Sequence, residues 1–84
     1  MSLTVVVQET ALRALARIRS QDRDAFLAIR SAMMALADDP RPAEAVPWGG
    51  SGIFRWHLPG IRTLYEIDPE SSTIYIINIA RTAV

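Results

Sequence analysis

The chain has 84 residues, half of them apolar, and nine arginines balance nine acidic residues, with no lysine and no cysteine. That length suffices for one small domain, predicted to span residues 1–84. The composition excludes a P-loop or Schiff-base lysine, a cysteine nucleophile, a disulfide framework and a zinc finger. A lone histidine, His57, cannot supply a multi-histidine metal site. We therefore expect no metal and no other cofactor.

The first part of the chain predicts a strand followed by two helices. The β-branched run within residues 3–8 favours a strand, and because that run is continuously apolar we expect it to be buried on both faces. From Glu9 apolar residues recur at helical spacing, which predicts an amphipathic helix. Ser20 or Asp22 can cap a second helix. Its apolar stripe consists of Phe26, Ile29, Met33 and Leu36.

The remainder predicts a loop and three strands. Prolines and glycines accumulate in residues 38–52, which indicates a long loop. Residues 54–58 alternate apolar and polar side chains, and strands over 61–67 and 73–81 follow two turns. The order β-α-α-β-β-β predicts an α+β two-layer sandwich. In it a helical hairpin packs on one face of a small, mainly antiparallel four-stranded sheet.

The hydropathy pattern gives no sign of secretion or of a membrane span. The N-terminal apolar run lacks a basic flank and a cleavage signal, and no window approaches the roughly 18 to 20 apolar residues that a span needs. We expect a soluble, cytoplasmic protein without membrane contact. Because so short a chain buries only about 60% of its unfolded surface, we also expect a partner or a second copy to cover remaining apolar surface.

Hairpin register gathers a candidate site. If residues 59–60 form a two-residue turn, His57 pairs with Arg62, and Arg55 shares their face. Arg81 ends the last strand, so we expect it to lie near Arg62. The face of the sheet on which its side chain lies is not determined by this argument. Guanidinium groups grip phosphate oxygens and an imidazole moves protons near neutral pH. Together these groups supply what RNA cleavage through the ribose 2′-hydroxyl requires.

Structural interpretations of the same residues stay open. Arginines on a half-exposed strand commonly serve solubility and pair with nearby carboxylates, for which Glu44, Glu66 and Asp68 are available. Trp48, beside two glycines, is either a stacking platform for a ligand or an anchor of the loop. The adjacent Asp38 and Asp39 mark a helix end better than a metal site.

A family pattern runs through four segments in chain order. They read Leu-Ala-Asp-Asp-Pro-Arg-Pro at 36–42, Phe-Arg-Trp-His-Leu at 54–58, Gly-Ile-Arg-Thr-Leu-Tyr-Glu-Ile-Asp at 60–68, and Ile-Ile-Asn-Ile-Ala-Arg at 76–81. Together they resemble the RelE/ParE toxin superfamily of type II toxin-antitoxin systems, and the third segment is the most specific. The resemblance implies a toxin that is held inactive by a cognate antitoxin. The assembly is then either a toxin-antitoxin heteromer or a homodimer.

The resemblance implies two alternative activities. RelE-like members are ribosome-dependent mRNA interferases that cut RNA without a metal. For this chain that alternative implies the ribosome and mRNA as partners. It also implies His57, Arg62 and Arg81 as catalytic residues and Arg55 as an RNA-binding residue. ParE-like members inhibit DNA gyrase without catalysis. The neutral charge, and the lack of the tyrosine that relatives often carry near the C-terminus, favour this alternative. A degenerate homologue that only binds an antitoxin is a third.

Overall fold

A computed structural model describes residues 2–50 and 52–82 and places two helices on one face of a five-stranded sheet. The elements are β1 (Thr4–Val7), α1 (Glu9–Gln21), α2 (Arg23–Ala35), β2 (Ala45–Pro47), β3 (Ile53–Leu58), β4 (Ile61–Asp68) and β5 (Thr73–Arg81). The strand order is β1-β5-β4-β3-β2. β1 runs parallel to β5, and all other neighbours are antiparallel. The predicted α+β two-layer class is confirmed.

The fifth strand, β2, lies inside the segment predicted as a loop. Ala45, Val46 and Pro47 pair with the first half of β3. Pro47 has no N–H to donate, and it is tolerated because β2 forms an edge of the sheet. The prediction that residues 38–52 form a loop throughout was therefore wrong, because pairing with β3 imposes an extended backbone on a three-residue segment in which only Val46 favours a strand.

β1 is the opposite edge of the sheet, and its predicted burial on both faces was wrong. Val5 and Val7 pack against the core beneath the helices. Val6 points to the other face and keeps 39% of its surface exposed. A parallel edge strand can be continuously apolar without being covered twice.

The helices bury one stripe each against the sheet. The buried residues of α1 and α2 are Ala11, Leu15, Ile18, Ile29 and Met33, and Leu36, which follows α2 as its C-cap, is buried as well. Asp22 is the cap of α2, because its carboxylate accepts a hydrogen bond from the Ala25 N–H at 3.1 Å. Leu12 and Met34, although apolar, remain 56% and 63% exposed. No helix in the described part of the chain is long and apolar enough to cross a bilayer.

Tyr65, at the centre of the sheet, ties the loop after α2 to the core. Its ring stacks on Phe54 with centroids 5.5 Å apart and meets Trp56 edge-on at 6.0 Å. Its hydroxyl donates to the Pro40 carbonyl at 2.7 Å. Burial, helped by the nearby Asp39 carboxylate, raises the pKa of Tyr65 to about 12. The start of the loop is thus fixed from inside the domain.

Candidate phosphate-binding face

The β3–β4 hairpin has the register that the two-residue turn predicts. Leu58 pairs with Ile61, His57 with Arg62, and Arg55 with Leu64. Directly opposed residues of antiparallel strands hold their Cβ atoms about 5 Å apart and on the same side of the sheet. The predicted pairing of this hairpin is confirmed residue by residue.

The two faces of the sheet differ sharply in composition. The face under the helices, called the covered face, holds the buried side chains Phe54, Trp56, Ile61, Thr63 and Tyr65. The other, called the open face, holds Arg55, His57 and Arg62. His57 and Arg62 are exposed, whereas Arg55 is partly buried. The structure therefore brings three of the four predicted site residues to one accessible surface.

Arg55 and Arg62 have no carboxylate partner in the part of the chain that the structure describes. Over residues 2–50 and 52–82 the ion pairs are Arg13 with Glu9 and Arg81 with Asp22. For Arg55 and Arg62 the alternative interpretation, pairing with nearby carboxylates, finds no support there, whereas Arg81, the third predicted site arginine, does pair with a carboxylate. Two guanidinium groups thus remain available for an external anion.

A bulge in β5 decides which side chains complete the open face. Leu64 pairs with Asn78 but Tyr65 pairs with Ile76, which leaves Ile77 as an extra residue. An extra residue reverses the alternation of side chains along a strand. Both halves of β5 consequently keep apolar side chains on the covered face, and Asn78 turns to the open face.

The same bulge places the Arg81 side chain on the covered side. Its backbone pairs with Ile61, so the predicted nearness to Arg62 is confirmed. Its guanidinium, however, contacts the Asp22 carboxylate at 3.3 Å at the edge of the helical layer. The backbone N–H of Ala25 and then the Arg81 guanidinium lower the pKa of Asp22. Three of the four predicted site residues thus share the open face, and Arg81, whose face the sequence did not determine, lies on the covered side.

A shallow cavity of about 230 Å³ opens on the face that carries the arginines. Its lining residues are Trp48, Arg55, Arg62, Leu64, Asn78 and Ala80. Trp48 remains 49% exposed, which is not the exposure of an anchor packed into the core. His57 does not line this cavity, but it lies opposite Arg62 in the register.

A larger cavity of about 570 Å³ lies in the groove between α1 and α2. Apolar side chains such as Leu12 and Phe26 line it, with Arg19, Arg23 and Arg30. Among the described residues that line it there is no carboxylate, histidine or other proton-transfer group. The smaller cavity is the candidate site, because the arginines that line it lie next to His57 on the open face.

Trp48 and Asn78 are two further residues of the open face. The sequence left Trp48 as either a stacking platform or a loop anchor, and it did not assign Asn78 to this face. Trp48 reaches it through β2, and Asn78 through the bulge; neither feature leaves a local sequence signal. Within residues 2–50 and 52–82, no group of three or more histidine, aspartate or glutamate side chains is placed to hold a metal ion. The chemistry on offer is anion binding by guanidinium groups next to an imidazole.

Solved structures of toxins have a similar fold. The toxin-antitoxin complex RelBE2 from Mycobacterium tuberculosis matches with a TM-score of 0.84 at 24% identity, over 100% of this chain and 95% of that one. The isolated RelE toxin of E. coli matches at 0.80 and 16% identity, over 99% and 87%. The archaeal RelE-RelB complex from Pyrococcus horikoshii matches at 0.74 and 22% identity, over 96% of each chain.

The sequence itself matches a family as well. No curated protein matches the chain. A family model described as the ParE toxin of the type II toxin-antitoxin system parDE matches residues 5–83, which is nearly the whole chain. The predicted superfamily is confirmed by this match together with the fold. The chain therefore belongs to the RelE/ParE superfamily, as a member of the ParE toxin family of type II toxin-antitoxin systems.

Proposed function

We propose that this toxin is a RelE-like, ribosome-dependent mRNA interferase that cleaves RNA through the ribose 2′-hydroxyl. One observation carries the proposal: Arg55, His57 and Arg62 share an accessible strand face, and neither arginine has a carboxylate partner in the described chain. Arginines that only made the surface soluble could equally well form ion pairs with nearby acidic side chains. A surface that keeps two unpaired guanidinium groups beside an imidazole is suited to a phosphodiester.

Each residue has a distinct part in the proposed reaction. The 2′-oxygen attacks phosphorus and displaces the 5′-oxygen of the next nucleotide. Arg62 binds the phosphate oxygens whose charge grows in the transition state, and Arg55, one side-chain position along the same face, holds the RNA backbone. A solvent water takes the proton of the 2′-hydroxyl, and His57, as the imidazolium, donates a proton to the leaving 5′-oxygen, so that a 2′,3′-cyclic phosphate and a 5′-hydroxyl result. No metal takes part in this scheme, consistent with the expectation from the family.

Arg81 has no direct part in this proposal. To reach a phosphate held by Arg62, its side chain would have to leave Asp22 and cross the edge of the sheet. Its predicted catalytic role stays a prediction. The Arg81→Ala variant tests it, because cleavage close to the wild-type level is expected only if the side chain stays on the covered side.

We further propose a cognate antitoxin as the partner of the toxin. Two of the structures with a similar fold are complexes of a toxin with its antitoxin. In this chain the groove between α1 and α2, with the exposed Leu12 at its side, offers apolar surface for such a partner to cover. Self-association of the toxin through this groove is the alternative, and light scattering with and without the antitoxin separates the two.

The test of the enzymatic proposal is induced expression followed by primer-extension mapping of mRNA ends. The wild type should arrest growth and cut at ribosomal A-site codons. Arg62→Ala and His57→Ala should each reduce cleavage by about 100-fold or more. Arg13→Ala, which removes an exposed arginine on α1 that pairs with Glu9, is the matched control. Full cleavage by both site variants would refute the assignment.

A second candidate function is inhibition of DNA gyrase. The match to the ParE family and the zero net charge favour it. It predicts stalled cleavage complexes and a DNA damage response, with mRNA left intact and with His57→Ala as toxic as the wild type. Undiminished supercoiling by gyrase at saturating toxin would exclude it. A degenerate homologue would leave growth unaffected in both assays.

A further inference from the structure

The β2–β3 hairpin presents an indole ring to the open face. The Trp48 N–H donates to the Ile53 carbonyl at 2.9 Å, which extends the register beyond the pair of Pro47 and Phe54. Side chains alternate along a strand, so Trp48 lies on the same face as Arg55. Both residues line the cavity that also contains Arg62.

The turn after Trp48 is held against the neighbouring strands. Gly52 has a φ of +80°, and a Cβ at this position would lie 2.9 Å from the Ile67 carbonyl oxygen. The Ile67 N–H donates to the Gly52 carbonyl at 2.8 Å, which ties the turn to β4. The base of the indole is consequently fixed relative to the strand that carries Arg62. An aromatic ring that is held in this way loses little conformational entropy when a ligand binds.

Trp48 does not belong to the hydrophobic core of the described chain. The hydrophobic core contains Trp56 from β3, which is 4% exposed, whereas Trp48 leaves 49% of its surface in water. Trp48 is thus a half-exposed aromatic side chain beside Arg55 and Arg62, neither of which has a carboxylate partner within residues 2–50 and 52–82. This combination matches the composition of sites for single-stranded nucleic acid. Such sites combine guanidinium groups for the backbone with aromatic rings on which bases stack.

We propose that Trp48 stacks on a nucleobase of the RNA whose phosphates are held by Arg55 and Arg62. The Asn78 carboxamide, which lines the same cavity, then lies within the nucleotide site as a donor and acceptor of hydrogen bonds. The cavity of about 230 Å³ is smaller than the roughly 300 to 1,000 Å³ of sites that enclose small molecules. It suits one nucleotide of a longer strand. This inference rests on the proposed function, for which it names a substrate-positioning residue.

The experiment measures binding separately from cleavage. A fluorescein-labelled single-stranded oligoribonucleotide is titrated with purified toxin carrying His57→Ala, so that proton transfer is removed while the arginines and Trp48 remain. In this background Trp48→Ala should weaken binding by about 5-fold to 100-fold, and Trp48→Phe should restore most of the affinity. Val46→Ala is the matched control, because Val46 lies on the same face of β2 and is 51% exposed. Circular dichroism verifies that each variant folds.

Abasic substitution distinguishes stacking from a structural effect. Removing one base at a time should weaken binding to the His57→Ala protein at a single position, and should have no further effect there once Trp48 is alanine. Independent, additive losses would overturn the inference. If Arg62→Ala loses affinity while Trp48→Ala keeps it, only the stacking inference fails. If both variants bind as well as their parent, the phosphate site fails, and the proposed function with it.

Discussion

Arg62 and Arg81 lie at the same end of the sheet, but they differ in the face from which they project and in their contact with a carboxylate. Arg62 projects from the open face, beside a cavity and without a carboxylate partner in the described chain. Arg81 starts one register position away but lies on the covered side, where Asp22 binds it. The side of the sheet, and not the distance between backbones, decides whether a guanidinium group is available to a ligand.

The contrast extends to the two faces as a whole. On the covered side of the sheet the Tyr65 hydroxyl donates to the Pro40 carbonyl, and Asp22, in the helical layer, caps α2. On the open face Arg55 and Arg62 form no ion pair with any residue in 2–50 or 52–82. Substitutions on the covered face should therefore change stability, and substitutions on the open face should change binding or cleavage while stability stays the same.

The largest expected effect is that of Tyr65→Ala. Tyr65 is fully buried between Phe54 and Trp56, so truncation leaves a cavity and removes the hydrogen bond to Pro40. We expect the free energy of unfolding to fall by about 3–5 kcal/mol, a large part of the stability of so small a domain. Urea denaturation measures it. Arg55→Ala on the open face should stay within about 0.5 kcal/mol of the wild type. Equal losses in the two variants would erase the distinction between the faces.

A smaller effect on the covered face is a loss of stability at alkaline pH. The pKa of Tyr65 is raised from 10.0 to about 12. Because the unfolded chain ionises first, the free energy of unfolding should fall between pH 10 and about pH 12, by about 1.4 kcal/mol per pH unit from this group. Urea titrations across that range test it. Tyr65→Phe should remove this part of the slope, whereas Tyr75→Phe should not. An unchanged slope in Tyr65→Phe would assign the loss to other groups.

The parts of the fold that the sequence predicts are those governed by local rules. A two-residue turn fixes which side chains of a hairpin share a face, so the pairing of His57 with Arg62 follows from residues 59–60 alone. Helical periodicity likewise predicts the stripe through Ile29 and Met33. These rules suffice to bring Arg55, His57 and Arg62 together.

The parts that the sequence does not predict depend on neighbouring strands. β2 is short and contains a proline, and it is extended only because β3 lies beside it, so the place of Trp48 on the open face could not be inferred. The bulge at Ile77 falls within a run rich in isoleucine, where several alternations would bury apolar side chains equally well. The face of Arg81 depends on that bulge, and it stayed undetermined for that reason.

The smallest expected effect concerns the contact that separates Arg81 from Arg62. Asp22→Ala removes the cap of α2 together with the ion pair, whereas Arg81→Ala removes the ion pair alone. Asp22→Ala should therefore lower the Tm more than Arg81→Ala. The part of the Tm loss that is due to the ion pair should shrink between about 0.1 M and about 1 M salt, because the Debye length falls from about 10 Å to about 3 Å. Thermal denaturation at both salt concentrations measures this. Equal, salt-independent losses would mean that Arg81 supports the cap itself. Increased RNA cleavage by Asp22→Ala, in a fully folded protein, would mean that the released Arg81 reaches the open face after all.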